Sequence, residues 1–182
     1  MYTYITCGKF PTERFQYQET SSDGNNCMLH ALISAYDPLY QQMTDIERDE
    51  YIDSVRKLMR DKFSYSEYEK TNAYRCFLES GFEEFSYQNL YSVLDENEFL
   101  GEGLIDFISD CLNVDIYFMW KDSKRKMKVY SYPTVAGTVH KNRNSVILLF
   151  DGFHYETIST LREGRFLSLL SPDDPLITSL RG

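Results

Sequence analysis

Long apolar runs are absent from this sequence. The longest ones, IYFMW at 116–120 and VILLF at 146–150, are far too short to cross a bilayer. The first ten residues, MYTYITCGKF, lack the basic start and apolar stretch that a secretory signal shows. We therefore expect a soluble chain with no membrane partner.

Cysteine is also scarce. The four cysteines are widely scattered, without the paired spacing of a zinc site or a disulfide framework, and they stand at Cys7, Cys27, Cys76 and Cys111. This pattern favours reduced thiols in a cytoplasmic setting. A zinc-binding module built on Cys27 and His30 lacks further ligands at suitable spacing, so we expect neither a metal nor another cofactor.

Positive charge is in deficit. Lysine and arginine number 19 against 28 aspartates and glutamates, which gives a formal net charge of -9. Such a surface has no basic face to displace the counterions of phosphate groups, so we expect no nucleic-acid partner. A basic protein partner is more plausible, although an acidic surface also simply favours solubility.

The chain has no repeat and no long linker, and it is 42% hydrophobic with 12 Phe and 15 Tyr. This is enough apolar area for one domain over 1–182 to bury a core. Helical spacing in the middle of the chain predicts a helix start at Thr44, with Glu47 completing a capping box and Leu58 on the apolar side. A second helix should start at Ser66 and end at Gly81.

Strands dominate the later part of the sequence. VDIYFMW, MKVYSY, SVILLF and FHYETI are rich in β-branched and aromatic residues, and the last two are separated by Asp151 and Gly152, a strong signal for a two-residue hairpin turn. Helices followed by antiparallel strands indicate an α+β fold, with a small, mostly antiparallel sheet flanked by helices.

Cys27 stands at the start of a predicted helix, CMLHALISAY, after a run of turn formers. Four residues make this turn, Asp23, Gly24, Asn25 and Asn26. Free N–H groups at the helix start, together with the positive end of the helix dipole, could stabilise a thiolate and hold an oxyanion. Cysteine is nonetheless among the most buried residue types, so the turn alone leaves a structural role open.

Three histidines are available as a base. His30 lies one helical turn beyond Cys27 and points along the helix, which favours a packing role. His140 falls in a polar, turn-rich stretch and is predicted to be a solvated loop residue. His154 lies just past the predicted turn with Glu156 on the same strand face, so the carboxylate could orient one ring nitrogen. A surface His–Glu pair on an edge strand is the alternative.

Three ordered blocks of the sequence resemble the OTU (ovarian tumour) family of cysteine proteases, which are mostly deubiquitinases. The blocks are DGNNCMLHAL, then FLGEGLIDFISDCLNVDIYFM, which lacks the family's usual tryptophan, and then VILLFDGFHYETI. The resemblance runs from about residue 21 to residue 159. It implies a papain-type cysteine protease fold over the single domain.

The resemblance also implies chemistry. Cys27 would be the nucleophile and His154 the general base, acting on an isopeptide or peptide bond at the C-terminus of ubiquitin, polyubiquitin or a ubiquitin-like protein. The chain would act as a monomer in the cytoplasm, or in the host cytosol if it is a bacterial effector or a viral protein. Acidic residues are candidates to meet the arginines of the ubiquitin tail, and these are Glu83, Glu84, Glu96, Glu98 and Glu102.

Two features depart from the family pattern. The turn has one extra residue, so Asp23 lies four residues before Cys27, and any of Asp23, Gly24, Asn25 or Asn26 could shape the oxyanion pocket. Glu156 is one methylene longer than the usual Asp or Asn, so either Glu156 or Asp23 could orient His154. Two alternatives to a deubiquitinase are a catalytically silent ubiquitin-binding module and a protease that acts on a polyprotein.

Overall fold

The computed structural model describes residues 2–18, 25–121, 127–130 and 140–181. These parts of the chain form eight helices and eight strands. The helices are α1 (Cys27–Tyr36), α2 (Pro38–Gln42), α3 (Asp45–Lys62), α4 (Tyr65–Glu69), α5 (Asn72–Ser80), α6 (Tyr87–Asp95), α7 (Ile105–Leu112) and α8 (Pro175–Arg181). The strands are β1 (Tyr2–Cys7), β2 (Phe10–Gln18), β3 (Asp115–Lys121), β4 (Met127–Tyr130), β5 (Ser145–Phe150), β6 (Tyr155–Arg162), β7 (Arg165–Leu167) and β8 (Leu169–Leu170).

All the strands belong to one mixed sheet. Its order is β1-β2-β6-β5-β3-β4, with β7 added on β6 and β8 on β5. Every pair is antiparallel except β3 and β5, which run parallel from Asp115 opposite Ser145 to Trp120 opposite Phe150. The predicted α+β fold with a mostly antiparallel sheet is confirmed. The sheet is larger than expected, because the sequence patterns did not reveal the hairpin of β1 and β2.

The central strands are buried on both faces, which explains their continuous apolar runs. One face packs under the helices: Ile116 and Leu148 join α1, α3 and α7 in the larger core. The other face carries Tyr117 and Ile147 and is covered partly by α8, which the sequence patterns also did not predict. No helix in the described ranges is both long and apolar enough to cross a membrane.

The long helix α3 confirms the predicted capping box. Thr44 accepts from the backbone N–H of Glu47, and the Glu47 side chain accepts from the backbone N–H of Thr44. Leu58, however, is 69% exposed and contributes nothing to the core, which corrects its predicted place on the apolar side.

The helix predicted from Ser66 to Gly81 is divided in two. Ser64, rather than Ser66, caps α4, and Thr71 caps α5 with its hydroxyl, so the chain restarts a helix where a continuous one was expected. The predicted end is correct: Gly81 adopts a φ of +69°, a left-handed conformation that suits glycine best.

The predicted hairpin of β5 and β6 is present, but its turn is longer than two residues. Phe150 pairs with Tyr155, so residues 151–154 form the loop. The Asp151 carboxylate accepts from the backbone N–H groups of Phe153 (3.0 Å) and His154 (2.9 Å), while Gly152 has a φ of +105°. His154 therefore belongs to a loop that Asp151 shapes, immediately before β6.

Candidate active site

Helix α1 and strand β6 bring together residues more than 120 positions apart in the chain. The hydroxyl of Thr157 donates to the carbonyl oxygen of Ala31, and it also lies 3.2 Å from the hydroxyl of Ser34. Through these contacts α1 packs against β6. The N-terminus of α1, which carries Cys27, consequently lies at the start of β6, beside the loop that carries His154.

Cys27 is the first residue of α1 and is only 2% exposed. The backbone N–H groups of Cys27, Met28 and Tyr155 act on its thiol and favour the thiolate. Tyr155 stands between His154 and Glu156, so the thiol lies close to the backbone segment that carries this pair.

Burial raises the pKa of the Cys27 thiol above its ordinary value of 9.0, because a thiolate loses its hydration there. The three backbone amides oppose this effect, and the negative charge of Glu156 adds to it. The donors expected at the start of the helix are therefore present, but they do not outweigh burial.

His154 and Glu156 form the pair that the sequence spacing suggested. Nε2 of His154 lies 2.8 Å from Oε1 of Glu156, and the two side chains are 20% and 11% exposed. The contact is a close approach of charge-bearing atoms rather than a well-aligned hydrogen bond. Since Glu156 faces Nε2, Nδ1 is the ring nitrogen left for proton transfer.

The turn before Cys27 is described from Asn25 onward, so the predicted roles of Asp23 and Gly24 concern positions outside the described residues. Asn25 is exposed, and its side-chain amide donates to the carbonyl oxygen of Asn97 at 3.1 Å. Asn26 is buried and occupies the N-cap position of α1, yet its side chain makes no capping hydrogen bond.

The side chain of Asn26 is instead held by helix α3. Its Oδ1 accepts from Nη1 of Arg56 at 2.6 Å, and its Nδ2 donates to Oδ1 of Asp53 at 3.2 Å. Neither Arg56 nor Asp53 stands out in the sequence as a candidate site residue. The available signal was the spacing of Arg56 between Ile52 and Met59, which puts an arginine inside an apolar helical stripe.

The other two histidines lie away from the thiol chemistry. His30 is buried, with Nδ1 2.6 Å from the Tyr40 hydroxyl and Nε2 3.3 Å from Asp49, which confirms the predicted packing role. Burial lowers its pKa. His140 stacks on Tyr117 with ring centroids 4.4 Å apart and is half-buried, so the prediction of a solvated loop residue was wrong.

An aromatic row forms one wall beside the thiol. The Tyr155 ring stacks on Phe150 with centroids 4.4 Å apart, and Phe99 stacks over Tyr155 at 5.8 Å. Trp120 packs edge-on against Phe150. Phe153, in the loop just before His154, is 87% exposed. Aromatic side chains therefore lie on either side of His154 in the chain, with Phe153 before it and Tyr155 after it.

Two of the predicted acidic candidates line a cavity of about 210 Å³ beside this wall. Glu84 and Glu102 share it with Phe99 and Gly101, among others. Glu83, Glu96 and Glu98 are exposed and do not line this cavity, so the five carboxylates do not meet in one place. No group of three or more His, Cys, Asp or Glu side chains that could hold a metal ion occurs in the described ranges.

No protein-family profile matches the sequence, and no curated protein matches it. Solved structures do match its fold. An ovarian tumour (OTU) domain in complex with ubiquitin superposes with a TM-score of 0.56 at 17% identity, covering 98% of this chain and 90% of that chain. The Farallon virus OTU protease and the Hazara virus OTU bound to ubiquitin each give 0.47 at 16% identity. Both cover 88% of this chain, and 98% and 96% of their own chains respectively.

Proposed function

We propose that this chain, which has the fold of an OTU domain, is a cysteine-type deubiquitinase that uses residues 1–182 as one catalytic domain. Its substrate would be the isopeptide or peptide bond at the C-terminus of ubiquitin, polyubiquitin or a ubiquitin-like protein. The observation that carries the proposal is the placement of Cys27, the first residue of α1, at the start of β6, where the backbone of Tyr155, the residue between His154 and Glu156, acts on its thiol.

The proposed reaction starts from a neutral thiol. As the sulfur attacks the glycyl carbonyl, its proton passes to Nδ1 of His154, and Glu156 stabilises the resulting imidazolium. The backbone amides of Cys27 and Met28, with others of the turn at 24–26, hold the oxyanion. The imidazolium then protonates the departing lysine amine, which leaves a thioester.

Water completes the cycle. His154 takes a proton from a water molecule that attacks the thioester carbonyl, and the proton passes to the departing sulfur of Cys27. This route uses only side chains and backbone amides of the chain, so the proposal includes no metal and no organic cofactor. We further propose that the protein acts in a cytosol and as a monomer.

The acidic cavity supports the proposed choice of substrate. Arginines precede the terminal glycines of ubiquitin, and Glu84 and Glu102 lie where a cationic side chain could enter beside Phe99. Phe99 stacks on Tyr155, whose backbone N–H acts on the Cys27 thiol. A tail that reaches the thiol along the aromatic wall would therefore pass these carboxylates.

One observation favours a second candidate, a catalytically silent ubiquitin-binding module. The Cys27 thiol is 2% exposed and its pKa is raised, both of which disfavour a reactive thiolate in the free protein. A polyprotein protease with the same residues would be distinguished by its substrate alone.

Reaction with a ubiquitin probe bearing a C-terminal alkyne, followed by intact-mass measurement, tests the proposal. We expect one covalent adduct on the wild-type protein and none on Cys27→Ala. Cys111→Ala is the matched control, since this half-buried cysteine lies on α7, and it should react like the wild type.

Three other results are informative. An unmodified wild-type protein that still binds ubiquitin would indicate the silent module, and one that neither reacts nor binds would contradict the proposal altogether. An adduct that persists in Cys27→Ala would contradict Cys27 as the nucleophile. A panel of di-ubiquitins would then define which linkages are cleaved.

A further inference from the structure

Asn26 is unusual among the helix-capping positions of this chain. Asparagine is a favoured N-cap residue because its side-chain oxygen accepts a hydrogen bond from the second or third N–H of the helix. Thr44, Ser64, Thr71 and Ser86 do this for their helices, whereas Asn26 does not do so for α1. Its backbone still begins the helix, since its carbonyl oxygen accepts from the N–H of His30 at 3.0 Å.

Both ends of the Asn26 amide are held by α3. Arg56 donates to Oδ1, and Asp53, three residues earlier on the same helix, accepts from Nδ2. A cation at the oxygen and an anion at the nitrogen fix the orientation of this amide. We call this arrangement the Arg56–Asn26–Asp53 clamp.

Arg56 is itself firmly placed. It is 3% exposed and donates to three backbone carbonyl oxygens besides Asn26, those of Val93, Leu94 and Glu98. Two of these oxygens lie at the C-terminal end of α6, where helix carbonyls lack partners within the helix. A lysine could not make this set of contacts, since it is a point donor rather than a planar fork.

The clamp matters because of what a capped helix would do to Cys27. If Asn26 accepted from the second helical N–H, which belongs to Met28, that amide would no longer be available to the sulfur. In the structure, the Asn26 side chain does not cap the first turn of α1, and the backbone N–H groups of Cys27 and Met28 favour the Cys27 thiolate.

We propose that Arg56 and Asp53 are positioning residues that hold the Asn26 side chain away from the first turn of α1, so that the amides of Cys27 and Met28 remain available to the thiolate and to the oxyanion. This role depends on the proposed function for its biological meaning. Its effect on the thiol, however, can be measured without ubiquitin.

The test is the rate at which iodoacetamide alkylates Cys27 between pH 6 and pH 10.5. Peptide mass spectrometry separates this site from Cys7, Cys76 and Cys111. Among the described side chains, Glu156 is the charged group that acts on the sulfur, and it is paired with His154. Both are left unchanged in every variant.

In Arg56→Met the released Asn26 side chain should cap α1 and compete with the sulfur for the Met28 amide. We expect alkylation at pH 8 to become about tenfold slower, which corresponds to a rise of about one unit in the thiol pKa. Asn26→Ala removes the competing side chain and should react nearly like the wild type. The double variant Arg56→Met with Asn26→Ala should recover that rate.

Recovery in the double variant separates positioning from a purely structural role. If Arg56 only supported the fold, adding Asn26→Ala would leave the rate low or reduce it further, and this result would overturn the proposal, as would a wild-type rate in Arg56→Met. Arg60→Met is the matched control: it lies one turn further along α3, bonded to Asp61 and Asp95, and should leave the rate unchanged.

Asp53→Ala provides a second route if Arg56→Met does not fold. Asp53 is exposed, so its removal should preserve the fold while it frees one end of the Asn26 amide. We expect a smaller decrease in the rate, which Asn26→Ala reverses, and no change in Glu50→Ala on the same helix. An unchanged rate in Asp53→Ala would overturn the role of Asp53. If the wild-type protein is not labelled by the ubiquitin probe but the alkylation rates of the variants are as expected, the proposed function is contradicted. The positioning role of Arg56 and Asp53 is then still supported.

Discussion

Glu156 reaches Nε2 of His154 with a side chain one methylene longer than aspartate. It starts from β6 opposite Leu149, two residues after the loop that carries His154. At this spacing the longer side chain brings its carboxylate to 2.8 Å from the ring nitrogen. Because the second ring nitrogen must be in the correct state to accept the thiol proton, the carboxylate should act through the imidazole as an orienting group.

Glu156→Gln should lower kcat for a fluorogenic ubiquitin substrate by about 100-fold, because an amide has no negative charge to stabilise the imidazolium and can turn its NH2 group toward Nε2, which favours the wrong tautomer. KM should change little, since Glu156 is 8% exposed and faces His154. Steady-state kinetics provide the measurement. Glu156→Asp should fall between these two enzymes, because its carboxylate starts further from the ring.

Glu50→Gln is the control for this prediction, as it removes an exposed carboxylate on α3. It should leave both kcat and KM unchanged. A Glu156→Gln variant with wild-type kcat would contradict the orienting role. The role would then belong to another carboxylate, of which Asp23 is the sequence candidate.

At the scale of elements, the 3-10 turn at Glu102–Leu104 packs closely on α6. A methyl group added at Gly103 would lie 2.8 Å from Cδ2 of Leu90 and 3.1 Å from Cδ1 of Phe85, and both side chains are buried. Gly101, two residues earlier, has open space around the same position and a φ of -111°. Neither glycine has a positive φ, so the difference expected between them comes from packing and not from a left-handed backbone.

Gly103→Ala should lower the free energy of unfolding by about 1–3 kcal/mol, as is typical when a packed core must shift to admit a methyl group. Gly101→Ala, the matched control, should be within about 0.5 kcal/mol of the wild type. Urea unfolding followed by circular dichroism measures both. Equal stabilities for the two variants would contradict close packing at Gly103.

Elements also show which parts of the fold the sequence could predict. The bounds of α1, the start of α3, and the strands β3, β5 and β6 follow from local signals, which are turn formers, a capping box and apolar periodicity. The loop at 151–154 was mispredicted because the Asp151 carboxylate bonds two backbone amides and widens the turn. The strand β2 was missed because Pro11, Glu13 and Arg14 interrupt its apolar alternation.

The candidate site also has parts that the sequence could predict and parts that it could not. Sequence spacing was sufficient to place Glu156 beside His154, since residues two apart on an extended chain share a face. The clamp could not be predicted from the sequence. Arg56 donates to backbone carbonyl oxygens at and just after the end of α6, and these lie 37 to 42 residues further along the chain. An arginine alone does not reveal which backbone groups will surround it.

At the scale of the whole molecule, Arg162 joins three distant parts of the chain. It lies at the end of β6 and forms paired contacts of 2.7–3.0 Å with Glu13 on β2 and with Asp174 just before α8. The three side chains are 24%, 17% and 10% exposed. Since β6 also carries Glu156, this junction ties the N-terminal hairpin and the C-terminal helix to the strand of the candidate site.

Arg162→Met should lower the free energy of unfolding at pH 7 by about 2–4 kcal/mol, because two partly buried carboxylates lose their shared cation. The hydrogen bonds from Arg162 lower the pKa of Asp174 below its ordinary 3.8. Its contribution is therefore present above pH 3.8 and is lost as the pH falls through the lower folded-state pKa. The difference in unfolding free energy between the wild type and Arg162→Met should therefore become smaller below about pH 4.

Urea unfolding at pH 7 and at pH 3 measures this difference. The control is Arg165→Met, which changes an exposed residue on β7 and should alter the stability little at either pH. A stability difference that is the same at both pH values would contradict an ionic junction and assign the effect of Arg162 to packing alone.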